Sequence, residues 1–250
     1  MANELFKLQE WFISNCETHL PMADTDGNII EEVAGGVGRY LDATKIDIDK
    51  QLWQHDYRIR IHTIDRPGWA VALPLTETAL EEASLSLHEV TNGPDDWLKC
   101  EIKDQQFIGQ GDPLKLTVIL DRFFQLTPEI TPSGENSIMP NGFTKLQEWY
   151  AAQCVKIKEK APEAAMPWIS IDTDYHPSWS MGADLAGTDL DGATMPWINI
   201  DNDGKFWQEQ DWLTCNVQQN SFNGIGDHLK LGVILDYFFK LTPTLQQKDR

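Results

Sequence analysis

Leu5, Leu8, Phe12 and Cys16 are spaced 3, 4 and 4 residues apart, which places them on one face of a helix. Tyr57 to Ile64 then alternates apolar and polar residues and predicts a strand. Asp65 to Gly68 reads as a turn and Trp69 to Leu75 as a second strand, so the two form a hairpin. A third strand is expected at Leu85 to Val90 and a fourth at Trp97 to Ile102. Phe107 to Asp112, with Gly109 and Gly111, reads as a turn. Asp112 is expected to cap a helix with Pro113 at its first position. Leu116, Ile119, Leu120 and Phe123 give that helix its buried stripe. The order α-β-β-β-β-α predicts an α+β class, an antiparallel meander with helices on one face.

The whole pattern occurs twice. Leu8-Gln9-Glu10-Trp11 returns as Leu146-Gln147-Glu148-Trp149, and Cys16 returns as Cys154. Phe143, Leu146, Tyr150 and Cys154 keep the helical spacing of the first copy. Ile59, Ile61, Pro67 and Trp69 match Ile169, Ile171, Pro177 and Trp179, with Ser178 in place of Gly68. Residues 96–128 align with 211–243 without a gap, and 20 of the 33 positions are identical, which chance does not produce. The offset falls from 138 to 110 between the first helix and the first strand, so the first copy carries 28 extra residues within about 17–56. The boundaries expected are a first repeat at 1–128, a Pro/Gly/Ser-bearing linker at 129–141, a second repeat at 142–243 and a tail at 244–250.

Charge narrows the function classes. Twenty Lys and Arg stand against 39 Asp and Glu, a net charge of −19. A phosphate backbone or an anionic membrane would repel such a surface, so neither nucleic acid nor membrane is an expected partner, and a partner chosen by long-range electrostatics would be basic. No basic n-region with an apolar run opens the chain, and no apolar stretch approaches membrane-spanning length, which predicts a cytoplasmic protein. The four cysteines show no CxxC spacing and are expected to be reduced and mostly buried.

Leu-Gln-Glu-Trp with a following Cys, Pro67-Gly68-Trp69, Leu75-x-x-Thr78-x-Leu80, Asp96-Trp97-x-x-Cys100 and Phe107-x-Gly109-x-Gly111 make up a motif set. It returns as Trp179, Leu185-Thr188-Leu190, Asp211-Trp212, Cys215 and Phe222-Gly224-Gly226. This set resembles the bacterial immunity-protein family numbered fifty-three, inhibitors from polymorphic toxin systems. The resemblance implies a non-enzymatic protein that binds and neutralises a cognate toxin, and it covers most of the chain outside the insert, linker and tail. Oligomeric state is left open.

Candidate chemistry is sparse. The Gly109-Gln110-Gly111-Asp112 turn lacks a P-loop Lys and sets a carboxylate where an anion would sit, so a structural role outweighs phosphate binding. Asn199 to Gly204 has acids at 201 and 203 but lacks the bidentate Glu of an EF-hand, since Gln210 stands there. The six histidines show neither HxH nor HxxxH spacing, and no catalytic residue, cofactor or metal is expected. Recurrent Asp96 and Asp211 read as strand-entry residues or as functional acids.

Partner binding is the remaining candidate. Residues 161–213 hold ten acids and one base, Lys205. Trp168 and Trp197, which have no Trp counterpart in the first repeat, sit there in an echoed heptad: Met166-Pro-Trp-Ile-Ser-Ile-Asp172 and Met195-Pro-Trp-Ile-Asn-Ile-Asp201. Tryptophan is enriched at interface hot spots. Trp168, Asp172, Asp174, Trp197, Asp201 and Asp203 are therefore the candidate toxin-binding residues. A solvated acidic face is the plain alternative. A carbohydrate or small-molecule module that stacks its ligand on exposed Trp is the functional one.

Overall fold

The computed structural model describes residues 4–17, 22–23, 29–31, 39–40, 58–76, 78–127, 142–173, 178–200 and 211–241. Helix α1 (Glu4–Glu17) is followed by a small antiparallel sheet inside the insert: β1 (Met22–Ala23), β2 (Ile29–Glu31) and β3 (Arg39–Tyr40). The first repeat continues with β4 (Arg60–Thr63), β5 (Trp69–Pro74), β6 (His88–Gly93), β7 (Asp96–Lys103), β8 (Gln106–Gly111) and α2 (Leu116–Phe124). The second repeat carries α3 (Gly142–Lys160), β9 (Ile169–Thr173), β10 (Ser178–Asp184), β11 (Ile198–Ile200), β12 (Leu213–Gln218), β13 (Ser221–Asp227) and α4 (Leu231–Phe239).

Each repeat thus has five strands in the main sheet, not four. The segment expected as a turn, Phe107 to Asp112, is mostly β8, and its copy is β13. Its glycines mark close helix packing rather than a bend. A Cβ on Gly109 would lie 2.2 Å from Ile119 Cγ2, and one on Gly224 would lie 2.5 Å from Ile234 Cγ2. The missing side chains let α2 and α4 rest directly on these strands.

The helix start also differs from expectation. Asp112 does not cap α2, which begins four residues later. Its carboxylate, 3% exposed, accepts from the Leu114 N–H at 2.9 Å and the Trp97 N–H at 3.1 Å. It thereby ties the entry of β7 to the turn before the helix. Asp227 repeats this with Leu229 at 2.8 Å and Trp212 at 3.1 Å, and adds the Asp211 N–H at 2.8 Å. The Leu-x-x-Thr-x-Leu motif has an equally local cause. Thr78 Oγ1 donates to Leu75 O and accepts from the Leu80 N–H, and Thr188 does the same with Leu185 and Leu190.

The two repeats do not form separate four-stranded sheets. They share one antiparallel sheet in the order β11-β12-β13-β10-β9-β4-β5-β8-β7-β6. The join is β4 against β9, and there Ile61 pairs with its own duplicate, Ile171. A pseudo-two-fold axis therefore passes through this pair. Equivalent residues bond reciprocally across it: Ile59 N–H donates to Thr173 Oγ1 and Ile169 N–H to Thr63 Oγ1, both at 3.0 Å.

All four described helices lie on one face, and α1 and α3 each serve both repeats. Phe12 packs on Trp179 of the second repeat, with ring centroids 4.9 Å apart, and Tyr150 packs on Trp69 of the first at 5.0 Å. Trp11 meets Phe123 and Trp149 meets Phe238 within their own repeats. One hydrophobic cluster runs through both halves as a result. Gly68 N–H donates to the Tyr150 hydroxyl at 3.4 Å, a bond that Phe12 cannot receive in the other copy, and a Cβ on Gly68 would lie 2.3 Å from Gly111 O.

Cys100, Cys154 and Cys215 are reduced and buried, while the side chain of Cys16 lies outside the described residues. Burial pushes the Cys100 and Cys215 thiols up to about 11 and also raises Cys154. Few thiolates exist at neutral pH, and access is blocked. A thiol reagent at pH 7.5 is expected to label these three only after denaturation. Rapid native labelling of all three, followed by peptide mass analysis, would contradict the packing.

Candidate functional site

Helices cover one face of the main sheet, and no other described element covers the opposite, open face, as antiparallel sheets permit. Strand alternation assigns the positions. In β9, Ile169, Ile171 and Thr173 are buried, while Ser170 and Asp172 point to the open side. Two rows of neighbours cross the second half. One runs Ser170, Gly182, Asn223, Asn216, and the next runs Asp172, Ser180, Ile225, Thr214. Small side chains on β10 make the floor low, and Trp168 stands at its side. A Cβ on Gly182 would lie 2.8 Å from the Trp168 ring, so the indole lies over that glycine. The resulting trough has a volume of about 280 Å³.

Three candidates named from the sequence belong to this side of the molecule. Trp168 is 51% exposed, and Asp172 has the open-face parity. Trp197, 62% exposed, immediately precedes β11 and shares the parity of Asn199, which pairs with Thr214. Asp174, Asp201 and Asp203, and with them most of the acidic loop weighed for calcium, lie outside the described residues. Asp172 is not a free anion. Burial raises its pKa, while a hydrogen bond from Ser170 and the charges of His62, Arg60 and Arg58 pull it back.

The recurrent acids are structural. Asp96 binds Lys115 at 2.7 Å, and the same ammonium lies 3.6 Å from Asp112. Lys230 likewise joins Asp211 and Asp227. The hydrogen bond from Lys115 holds the Asp96 carboxyl below its usual range. Among the described residues, no group of three His, Cys, Asp or Glu is placed to hold a metal ion. No described helix is long and apolar enough to cross a membrane.

The two halves differ by face. On the helix side, Ile61, Trp69, Leu98, Cys100 and Phe107 recur unchanged as Ile171, Trp179, Leu213, Cys215 and Phe222, all buried. On the open side, the row Ser170, Gly182, Asn223, Asn216 corresponds to Arg60, Ala72, Ile108, Glu101, and no position matches. Sequence reading missed the trough. Its signal was present as alternate-position divergence along strands whose other positions are duplicated.

The family model for immunity protein 53 matches residues 42–127 and, a second time, residues 143–242. The chain belongs to this family. The two matched segments follow the internal duplication, so the double sheet is two family units joined edge to edge. Neither a curated protein nor a solved structure matches the chain. The family's motif residues serve the fold here: the Leu-x-x-Thr-x-Leu turn, the glycines under the last helix and the buried Trp on the hairpin.

Proposed function

We propose that this chain is a stoichiometric, non-catalytic inhibitor that binds a cognate bacterial toxin, with the acidic, tryptophan-bearing part of the second repeat as the contact surface. The observation carrying this reading is the match of both repeats to an immunity-protein family. The exposure of Trp168 and Trp197, aromatic groups a sheet does not leave in water without cost, supports the choice of surface. The excess of nine acids over bases in residues 161–213 supports a basic partner.

Charge is expected to act on capture and the aromatics on retention. Reversing Asp174, Asp201 and Asp203 to Lys should slow association with the toxin and flatten its salt dependence. Asp172 is left native, because Arg58, Arg60 and His62 already compensate it. Trp168→Ala or Trp197→Ala should cost about 2 kcal/mol of binding, mostly through faster dissociation. Binding kinetics at two salt concentrations with the toxin encoded beside this chain's gene would measure both effects. Unchanged association rates in the charge-reversed protein would move the electrostatic contact elsewhere, with the acidic insert at 17–56 next in line.

A further inference from the structure

We propose that the trough on the open face of the second half seats an uncharged, extended segment of the toxin, so that one toxin molecule binds each chain. This rests on the toxin-binding reading above and adds a place, a chemistry and a stoichiometry to it.

The first ground is an unmet hydrogen bond. Asn216 Oδ1 is buried without a partner and lines the trough. A buried acceptor left unpaired is costly, and a turn of the Asn216 side chain toward the trough would let it accept from a backbone N–H laid along the floor. The second ground is the lining itself. Ser170, Ser180, Thr214, Asn216 and Asn223 supply hydroxyls and amides, and among the described residues no ionisable side chain lines the trough. A charged segment would lose water there, and Asp172, which bonds Ser170 at the edge, is already offset by His62, Arg60 and Arg58. The third ground is shape. The trough is shallow, its volume of about 280 Å³ is at the bottom of the roughly 300–1,000 Å³ range of ligand pockets, and it lies on the same face as exposed Trp197. A protein surface covers such ground better than a free small molecule does.

Stoichiometry follows from the other half. There Arg58 stands in place of Trp168, Arg60 in place of Ser170, Lys99 in place of Thr214 and Glu101 in place of Asn216. The fold is doubled, but the residues that line the trough are not, so a second identical segment finds charge where the first found amides.

The duplication supplies its own control, because each half carries residues the other half's backbone accepts at the same open-face positions. The swap Thr214→Lys, Asn216→Glu, Asn223→Ile gives the second half the residues Lys99, Glu101 and Ile108 of the first. The converse swap is Lys99→Thr, Glu101→Asn, Ile108→Asn. Both are made in the full chain, with native folding checked by thermal melts, and titrated calorimetrically with the adjacent-gene toxin. The first swap should weaken binding by about 30-fold or more, the range of a hot spot. The converse swap should stay within about 3-fold, and the wild type should bind one toxin per chain. Gly182→Ala, which pushes the Trp168 ring off its seat, should weaken binding by about 5-fold or more.

An affinity within 3-fold of wild type in the first swap overturns the proposal and leaves the trough to another ligand class such as an oligosaccharide. Equal losses in both swaps, or two toxins per chain, also overturn it. The wild-type titration separates the two levels of the argument. If wild type does not bind the toxin, the inhibitor reading fails. If it binds and the first swap does not weaken binding, only the placement fails.

Discussion

Trp179→Ala is expected to remove about 3–5 kcal/mol of stability and to unfold the entire chain in one transition at lower denaturant. Trp179 is fully buried, and its ring packs under Phe12, which belongs to the other repeat. Its indole N–H also donates to the His228 carbonyl at 3.0 Å. The substitution leaves a large cavity, an unpaired carbonyl and a helix α1 without its floor. Because the core is shared, the first repeat should fail together with the second. Urea unfolding followed by both fluorescence and circular dichroism would show coincident curves. Two separated transitions, with the first repeat melting at its wild-type midpoint, would show that the halves are energetically independent.

The second large effect concerns a carboxylate. Asp227→Ala is expected to cost about 3 kcal/mol, because three backbone N–H groups, those of Asp211, Trp212 and Leu229, lose their acceptor. Lys230 also loses its buried partner. The exposed neighbour Asp211 is a matched control. It meets the same Lys230, but its side chain is 70% exposed, and Asp211→Ala should change stability by less than about 1 kcal/mol. Chemical denaturation of both variants reads the contrast. Comparable losses would assign the stability to the lysine pairing rather than to the backbone acceptor.

The duplication, the helix faces and most strands were legible because they depend on local spacing that survives in both copies. The fifth strand was not. Gly109 and Gly111 carry a turn signature, and their purpose appears only when α2 lies 2.2 Å from the place of a missing Cβ. The fusion of the sheets was hidden for a different reason. Ile59, Ile61 and Thr63 alternate as they would in any half-buried strand, and nothing in that alternation says whether the strand's far edge is free or paired. The reciprocal bonds of Thr63 and Thr173 are read only in space. The lone tryptophans were legible as candidates because duplication makes an unmatched residue conspicuous. The neutral trough beside Trp168 was not, since its residues come from four strands and none is chemically unusual alone.

The pairing across β4 and β9 also biases which halves meet. Arg60 faces Asp172, and His62 faces Ser170. Two first halves joined in the same register would set Arg60 against His62 on both sides of the axis. Two second halves would set Asp172 against Ser170 twice and leave no cation there. Only the mixed pair brings opposite charges together, which favours it by a few tenths of a kcal/mol to about 1 kcal/mol. The chain thus carries a modest bias at its own seam, toward the pairing of unlike halves over the pairing of like ones.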